Sequence, residues 1–218
     1  MKVLLINGSP KRDGCTYTAL CEVAGAIEKH GIGTEIFQIG AKPVYGCIDC
    51  LKCRETGKCA FDGDICNEMA AKFLEADGVV VGSPVYYAGP NGALCALLDR
   101  VFYSNMGKFK HKPGACVVSC RRGGASATFD RLNKYFTIAQ MPVVSSQYWN
   151  SVHGLKPGDV LADLEGLQVM RVLGNNMAWL LKSIGQGVAH VPEEPRVATG
   201  FADGKAGVVV SNNWLGQK

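Results

Sequence analysis

The stretch Lys2-Val3-Leu4-Leu5-Ile6-Asn7, followed at once by Gly8-Ser9-Pro10-Lys11-Arg12-Asp13-Gly14-Cys15-Thr16, limits the fold more than any other part of the chain. A run of branched apolar residues without polar alternation reads as a strand buried on both faces, the habit of parallel sheets. A helical pattern starts directly after the loop, with Ala19, Leu20, Val23, Ala24 and Ile27 on one face. A strand that turns through glycine and serine into a helix builds an anion site. The helix leaves its first N–H groups unpaired and points the positive end of its dipole at the loop. Gly8 and Gly14 admit tight backbone, Ser9 and Thr16 add hydroxyl donors, Lys11 and Arg12 add charge, and Cys15 offers its backbone N–H. The ligand this suggests is one phosphate group.

Strand and helix patterns alternate along the rest of the chain. Helices are expected over Cys15–Lys29, Asp64–Ala76, Asn91–Tyr103, Ala125–Ala139 and Val160–Gly185, and further strands over Thr34–Ile39, Gly78–Gly82, Gly114–Cys120 and Met141–Ser145. This order gives an α/β fold, a doubly wound five-stranded parallel sheet with helices on both faces. Residues 1–186 form that domain, interrupted by an irregular cysteine-rich insertion at 40–64. Residues 187–218 are read as a C-terminal tail that wraps the domain or reaches a neighbouring subunit. A length of 218 residues is enough for one such core.

The net charge of +4 suits an anionic cofactor, and no run of Lys or Arg exceeds two residues, so nucleic acid is not an expected partner. No stretch has the length of a membrane span, and the first apolar run is too short for a signal peptide. A cytoplasmic location is therefore expected, where 10 cysteines point to metal or redox chemistry rather than to a disulfide framework.

In doubly wound sheets, ligands bind beyond the carboxyl ends of the strands. Three loops fall at that edge. The first is the phosphate loop. The second, Pro84-Val85-Tyr86-Tyr87-Ala88-Gly89, offers a proline and two aromatics against which a flat ring can pack. The third, Ser119-Cys120-Arg121-Arg122-Gly123-Gly124, has glycines that bring N–H groups close to a ligand and arginines that can face an anionic ring system. The first loop lacks the Gly-Lys-Ser/Thr of a Walker loop and the G-x-G-x-x-G of dinucleotide folds. What remains is the flavodoxin-like arrangement, in which the first loop holds the phosphate of FMN.

Gly8-Ser9-Pro10-Lys11 with Gly14-x-Thr16 resembles the G-S-P-R-x-x-G-N-T loop of the NADPH-dependent FMN reductases of the flavodoxin superfamily. Cys15 departs from the usual Asn there, although its N–H is retained. Ser83-Pro84-Val85-Tyr86 resembles the family's segment beneath the flavin, and Arg121-Arg122-Gly123-Gly124 its third flavin loop. Tyr148-Trp149-Asn150 and Gly174–Trp179 are also similar to family segments, so that the resemblance runs to about Ile184. It implies FMN as cofactor and NAD(P)H as cosubstrate. It also implies a homodimer or homotetramer, with contacts near Trp149 and the tail. The chemistry would belong to the cofactor, so no catalytic residue is expected. His153 is read as a structural loop histidine rather than as a proton donor.

Cys47, Cys50, Cys53 and Cys59 follow a C-x2-C-x2-C-x5-C spacing. Four thiolates on one compact loop match the ligand demand of a [4Fe–4S] cluster. Zinc competes, although its four-cysteine sites more often use two separated knuckles. A third reading is a metal-free loop that shapes the flavin site or a subunit contact. The motif resembles the compact cysteine motif of the archaeal and bacterial iron-sulfur flavoproteins, and similar loops occur in plain FMN reductases. Of the other cysteines, Cys95 and Cys116 are expected in the core, Cys120 beside the flavin loop, and Cys15 with a pKa lowered by the helix start.

Three functions are weighed. The leading one is an FMN-dependent oxidoreductase that passes electrons from NAD(P)H to a small-molecule acceptor such as a quinone, free flavin, nitro or azo compound. The second is an iron-sulfur flavoprotein exchanging electrons with ferredoxin through a [4Fe–4S] cluster and FMN. The third is a non-catalytic redox sensor that binds flavin or metal.

Overall fold

The computed structural model describes residues 1–186, Val191, Glu194 and the strands at 197–202 and 205–210. The strands β1 (Lys2–Asn7), β2 (Gly33–Gln38), β3 (Gly78–Tyr86), β5 (Gly114–Cys120) and β6 (Ser151–His153) form a parallel sheet in the order β2-β1-β3-β5-β6. A two-residue strand, β4 (Gly89–Pro90), folds back antiparallel on the end of β3. This is the flavodoxin-like strand order, and the expected doubly wound sheet is the observed one.

The period-two geometry of a strand sends neighbouring side chains to opposite faces, and here both faces are core. Leu4 and Ile6 of β1, Val79 and Val81 of β3, and Cys116 and Val118 of β5 meet α3 (Cys66–Glu75), α4 (Gly92–Ser104) and α5 (Ala125–Ile138). Val3, Leu5, Val80, Ala115 and Val117 meet α1 (Cys15–Glu28), α6 (Pro157–Ala162) and α7 (Leu164–Gly185). Within the first layer Phe73, Phe102, Phe109 and Phe136 form a chain of aromatic contacts.

Several boundaries differ from the expectation. The fifth strand is not Met141–Ser145. That run contains Pro142, which has no N–H to give a ladder, and it makes a single bridge between Gly114 and Val143. The chain pairs only at Ser151–His153, after Asn150 has docked on β5: its Nδ2 donates to the Cys116 carbonyl at 3.0 Å, and its own carbonyl accepts the Val118 N–H at 2.9 Å. The long last helix is two helices, broken at Asp163. Its Oδ1 accepts the Gly166 N–H at 2.9 Å and caps α7, while its Oδ2 accepts the His153 N–H at 2.8 Å. Inside the irregular insertion lies a short helix, α2 (Lys52–Thr56).

Residues 187–218 form a second compact unit. In it β7 (Val197–Ala202) and β8 (Lys205–Val210) pair antiparallel, from Val197 opposite Val210 to Ala202 opposite Lys205. The stretch expected to be a tail thus contains one antiparallel strand pair. No helix among the described residues is long and apolar enough to cross a membrane.

Candidate functional site

The three expected loops stand side by side at the carboxyl edge of the sheet. Gly8 leaves β1 with its N–H donated to the Gly82 carbonyl at 2.9 Å, and a Cβ on Gly8 would sit 2.5 Å from that oxygen. Asn7, buried at the end of β1, then shapes the loop. Its Nδ2 donates to the carbonyls of Lys11 and Arg12 at 3.3 and 3.2 Å and to Gln38, and its Oδ1 accepts the Ser9 N–H at 3.2 Å. Gln38 in turn donates to the Ser9 carbonyl at 2.7 Å. The Ser9 oxygen accepts the Lys11 N–H at 3.1 Å, which leaves the hydroxyl proton to be given elsewhere.

Helix α1 starts at Cys15 with Gly14 as its N-cap residue, so no side chain caps it, and its first turn contains no acidic residue. Gly124 likewise leads α5 with no side-chain cap. By contrast α4, which starts at the same edge, is capped by Asn91, whose Oδ1 accepts the Ala93 N–H at 3.1 Å. Unpaired N–H groups at two of three helix starts fit an anionic, acceptor-rich ligand.

Side chains tie the loops together. Thr16 and Ser119 share a hydrogen bond at 2.8 Å, both almost wholly buried. Asn91 donates to the Gly8 carbonyl at 2.7 Å and gives its N–H to Ser83 Oγ at 3.0 Å. Gly124 has φ +90°, and a Cβ there would lie 2.7 Å from Ala88 Cα and 2.9 Å from Val85 Cγ1. The second loop is a two-residue hairpin with Val85 opposite Pro90 and Tyr86 opposite Gly89. Tyr87 and Ala88 have φ 49° and 59°, the positive values of a type I′ turn that usually falls to Asn-Gly. Non-glycine residues there cost on the order of 1–3 kcal/mol each. The strained turn presents Tyr87 fully to solvent and Tyr86 about half so, with Pro84 and Val85 half-buried behind. Lys11, Arg121, Arg122 and Gly123 are exposed on the same edge, and Gly14 is buried.

The four motif cysteines line one cavity of about 350 Å³, open mouth included, together with Ile48, Leu51, Phe61, Arg100 and Tyr103. Two left-handed residues, Asp49 at φ 51° and Leu51 at φ 59°, reverse the chain between the first three cysteines. Burial pushes the Cys53 thiol up, and the neighbouring Cys50, Cys47 and Cys59 add to that, as expected of sulfurs crowded around one space. Yet no three of them are close enough to share a single metal ion, and no other His, Cys, Asp or Glu group among the described residues is either. Cys59 is fixed most firmly: Asn67 accepts its N–H and donates to its carbonyl, both at 3.0 Å.

In the cavity wall Arg100 forms a buried ion pair with Asp64. Burial alone would push the Asp64 carboxyl up. Hydrogen bonds from Arg100 and from the Tyr45 and Cys66 amides outweigh it and hold the pKa below the ordinary carboxylate value. Burial pushes the adjacent Cys66 thiol up to about 12.

Other expectations fall differently. The Cys15 thiol is pushed up by burial, not lowered by the helix start. Cys116 is buried as expected, whereas Cys95 is only half-buried. Cys120 is buried beside the third loop, its Sγ 3.8 Å from the Arg122 carbonyl. His153 is exposed, with Nδ1 3.6 Å from Asp163. Sequence reasoning missed Asn7, Gln38, Asn91, Asp64 and Arg100. Arg100 left a signal, as a charge within the apolar series Leu94, Leu97, Leu98, Val101.

Comparison with known proteins agrees with this geometry. The model of the NADPH-dependent FMN reductase family matches residues 1–156. An iron-sulfur flavoprotein of Methanocaldococcus jannaschii is 36% identical over 192 residues, covering 84% of this chain and 99% of its own. In fold, the chain is similar to a flavodoxin from the domain Archaea (TM-score 0.58, 16% identity, 84% of this chain and 99% of that one). It is also similar to the NAD(P)H:acceptor oxidoreductase FerB of Paracoccus denitrificans (TM-score 0.60, 17% identity, 84% and 97%). With a sheet of flavodoxin order, a phosphate-type loop at its switch point and a family match over most of its length, the chain belongs to the NADPH-dependent FMN reductase family.

Proposed function

We propose that this protein is an FMN-dependent oxidoreductase of the iron-sulfur flavoprotein kind, which passes electrons between FMN and a [4Fe–4S] cluster held by Cys47, Cys50, Cys53 and Cys59. The observation that carries the reading is the cavity lined by all four of these thiols. The C-x2-C-x2-C-x5-C spacing on one compact loop suits the four ligands of a cluster better than a zinc site, which more often uses two separated knuckles. The iron-sulfur flavoprotein of M. jannaschii, similar over nearly its whole length, supports it.

Bound FMN supplies the hydride and electron chemistry. The residues of the chain bind and orient. The start of α1, with the N–H groups of Gly14, Cys15 and Thr16, the Ser9 and Thr16 hydroxyls and the Lys11 charge, holds the phosphate. Tyr86 and Tyr87, on their strained turn, pack against the ring. Ser119 and the backbone of Arg121, Arg122, Gly123 and Gly124 give N–H donors where negative charge develops on it. No side chain is required as a proton donor.

A second reading, transfer from NAD(P)H to a small acceptor such as a quinone or azo compound, is favoured by the family match over residues 1–156. An anaerobic visible spectrum with iron, sulfide and zinc measured on the same sample separates the two. Flavin bands with about four irons per chain, one per thiolate ligand, are expected. Flavin without iron, with rapid reduction by NADPH, leaves the second reading. A colourless protein that takes up no added FMN overturns both.

A further inference from the structure

Arg100 is 2% exposed, in the second half of α4, and each of its hydrogen-bond acceptors belongs to the insertion at 40–64. Nη1 donates to the Tyr45 carbonyl at 3.2 Å and to Asp64 Oδ2, and Nη2 donates to the Phe61 carbonyl at 3.1 Å. The remaining position on the fork, Nε, donates to Cys59 Sγ at 3.1 Å. We propose that Arg100 is a positioning residue for the iron-sulfur site, its Nε–H holding the Cys59 sulfur and raising the reduction potential of the cluster that this sulfur ligates. This rests on the cluster reading given above.

The physical case has two parts. The first is charge balance. A buried guanidinium is costly unless paired, and Asp64 pairs it, so little net charge reaches the cavity. What reaches Cys59 is a directed N–H dipole from a group that stays protonated at any working pH. A donor on a ligand sulfur draws electron density from it, which favours the reduced, more negative cluster. Hydrogen bonds to the sulfurs are among the levers that set cluster potentials. The second part is anchoring. Tyr45 and Phe61 flank the motif, so the same fork that touches the fourth ligand also grips both ends of the loop. A purely structural clamp would need only the Nη contacts. The Nε contact to sulfur is the one that acts on the site.

The test uses the full chain, purified anaerobically with its flavin, and follows the cluster's EPR signal through a redox titration. Two variants are compared with wild type. Arg100→Lys keeps the charge beside Asp64 but loses the fork. Arg100→Met combined with Asp64→Asn removes both charges, so that neither is left buried alone. In either variant the equilibrium for cluster reduction is expected to fall about tenfold, which for a one-electron couple is about 59 mV more negative, while the flavin potentials stay in place. Iron release to a chelator is expected to quicken by about tenfold or more. Full iron content with an unmoved cluster potential in the variants overturns the role of Arg100 and leaves the cluster reading standing. A wild-type protein that holds no iron even after anaerobic reconstitution overturns the cluster reading and this proposal with it.

Discussion

The Ser9 hydroxyl lies in the loop before the uncapped start of α1 and the Thr16 hydroxyl in its first turn, and both are nearly inaccessible to bulk water. Each hydrogen bond to a charged phosphate contributes roughly 1–3 kcal/mol. Ser9→Ala combined with Thr16→Ala is therefore expected to weaken FMN binding several-fold at least, read by fluorescence titration of the flavin. Unchanged affinity would remove this loop from the account. Asp64 makes a different prediction. Its pKa is depressed in the fold, so its stabilisation is complete above the ordinary carboxylate value of 3.8 and is lost as pH falls through the lowered value. Asp64→Asn leaves Arg100 buried without its counter-charge and should cost about 3–5 kcal/mol at neutral pH. The variant's stability should also fall less steeply than wild type below about pH 4. Chemical denaturation across that range measures both.

Among the elements, the β3–β4 hairpin and the start of α5 act as a pair. Gly124 packs against Ala88 and Val85 in a conformation that L residues avoid. Gly124→Ala should displace the hairpin and weaken FMN binding. Gly123→Ala, where no protein atom lies within 4 Å of the added carbon, should leave the hairpin in place and weaken FMN binding less. The same ligand titration distinguishes them. The turn itself carries strain at Tyr87 and Ala88. Ala88→Gly relieves part of it and should raise stability by about 1 kcal/mol, seen as an increase in Tm of a few degrees. A fall in FMN affinity in the same variant would show that the rigid turn presents Tyr87 to the ring.

At the level of the whole molecule, the chain divides into Met1–Gln186 and Gly187–Lys218, with the three loops and the cysteine cavity all inside the first unit. A chain ending at Gln186 is expected to fold and bind FMN. In our reading residues 187–218 serve subunit contacts. Light scattering should then show a smaller assembly for the shortened chain than for the full one. An identical mass would place the contacts elsewhere, with Trp149 and Tyr148, both more than half exposed, the next candidates.

Local chemistry fixed what could be read without coordinates. Apolar runs buried on both faces and periodic helices determine a doubly wound sheet, and the glycine-serine loop after β1 leads into the uncapped start of α1, because each of those signals depends on neighbours in sequence. That Cys47, Cys50, Cys53 and Cys59 sit together on one compact loop was legible for the same reason, since their spacing is a local property. What sequence misplaced was decided by partners far along the chain. Pro142 denies the expected fifth strand its ladder, and Asn150 docks on Cys116 to begin the real one. Asp163 breaks one helix into two by serving Gly166 and His153 together. Arg100 shows only as an odd charge in an apolar helix until the fold brings it within 3.1 Å of Cys59, 41 residues away in sequence. A buried ion pair has no sequence signature, because its stability depends on the desolvation and partners that only the folded chain provides.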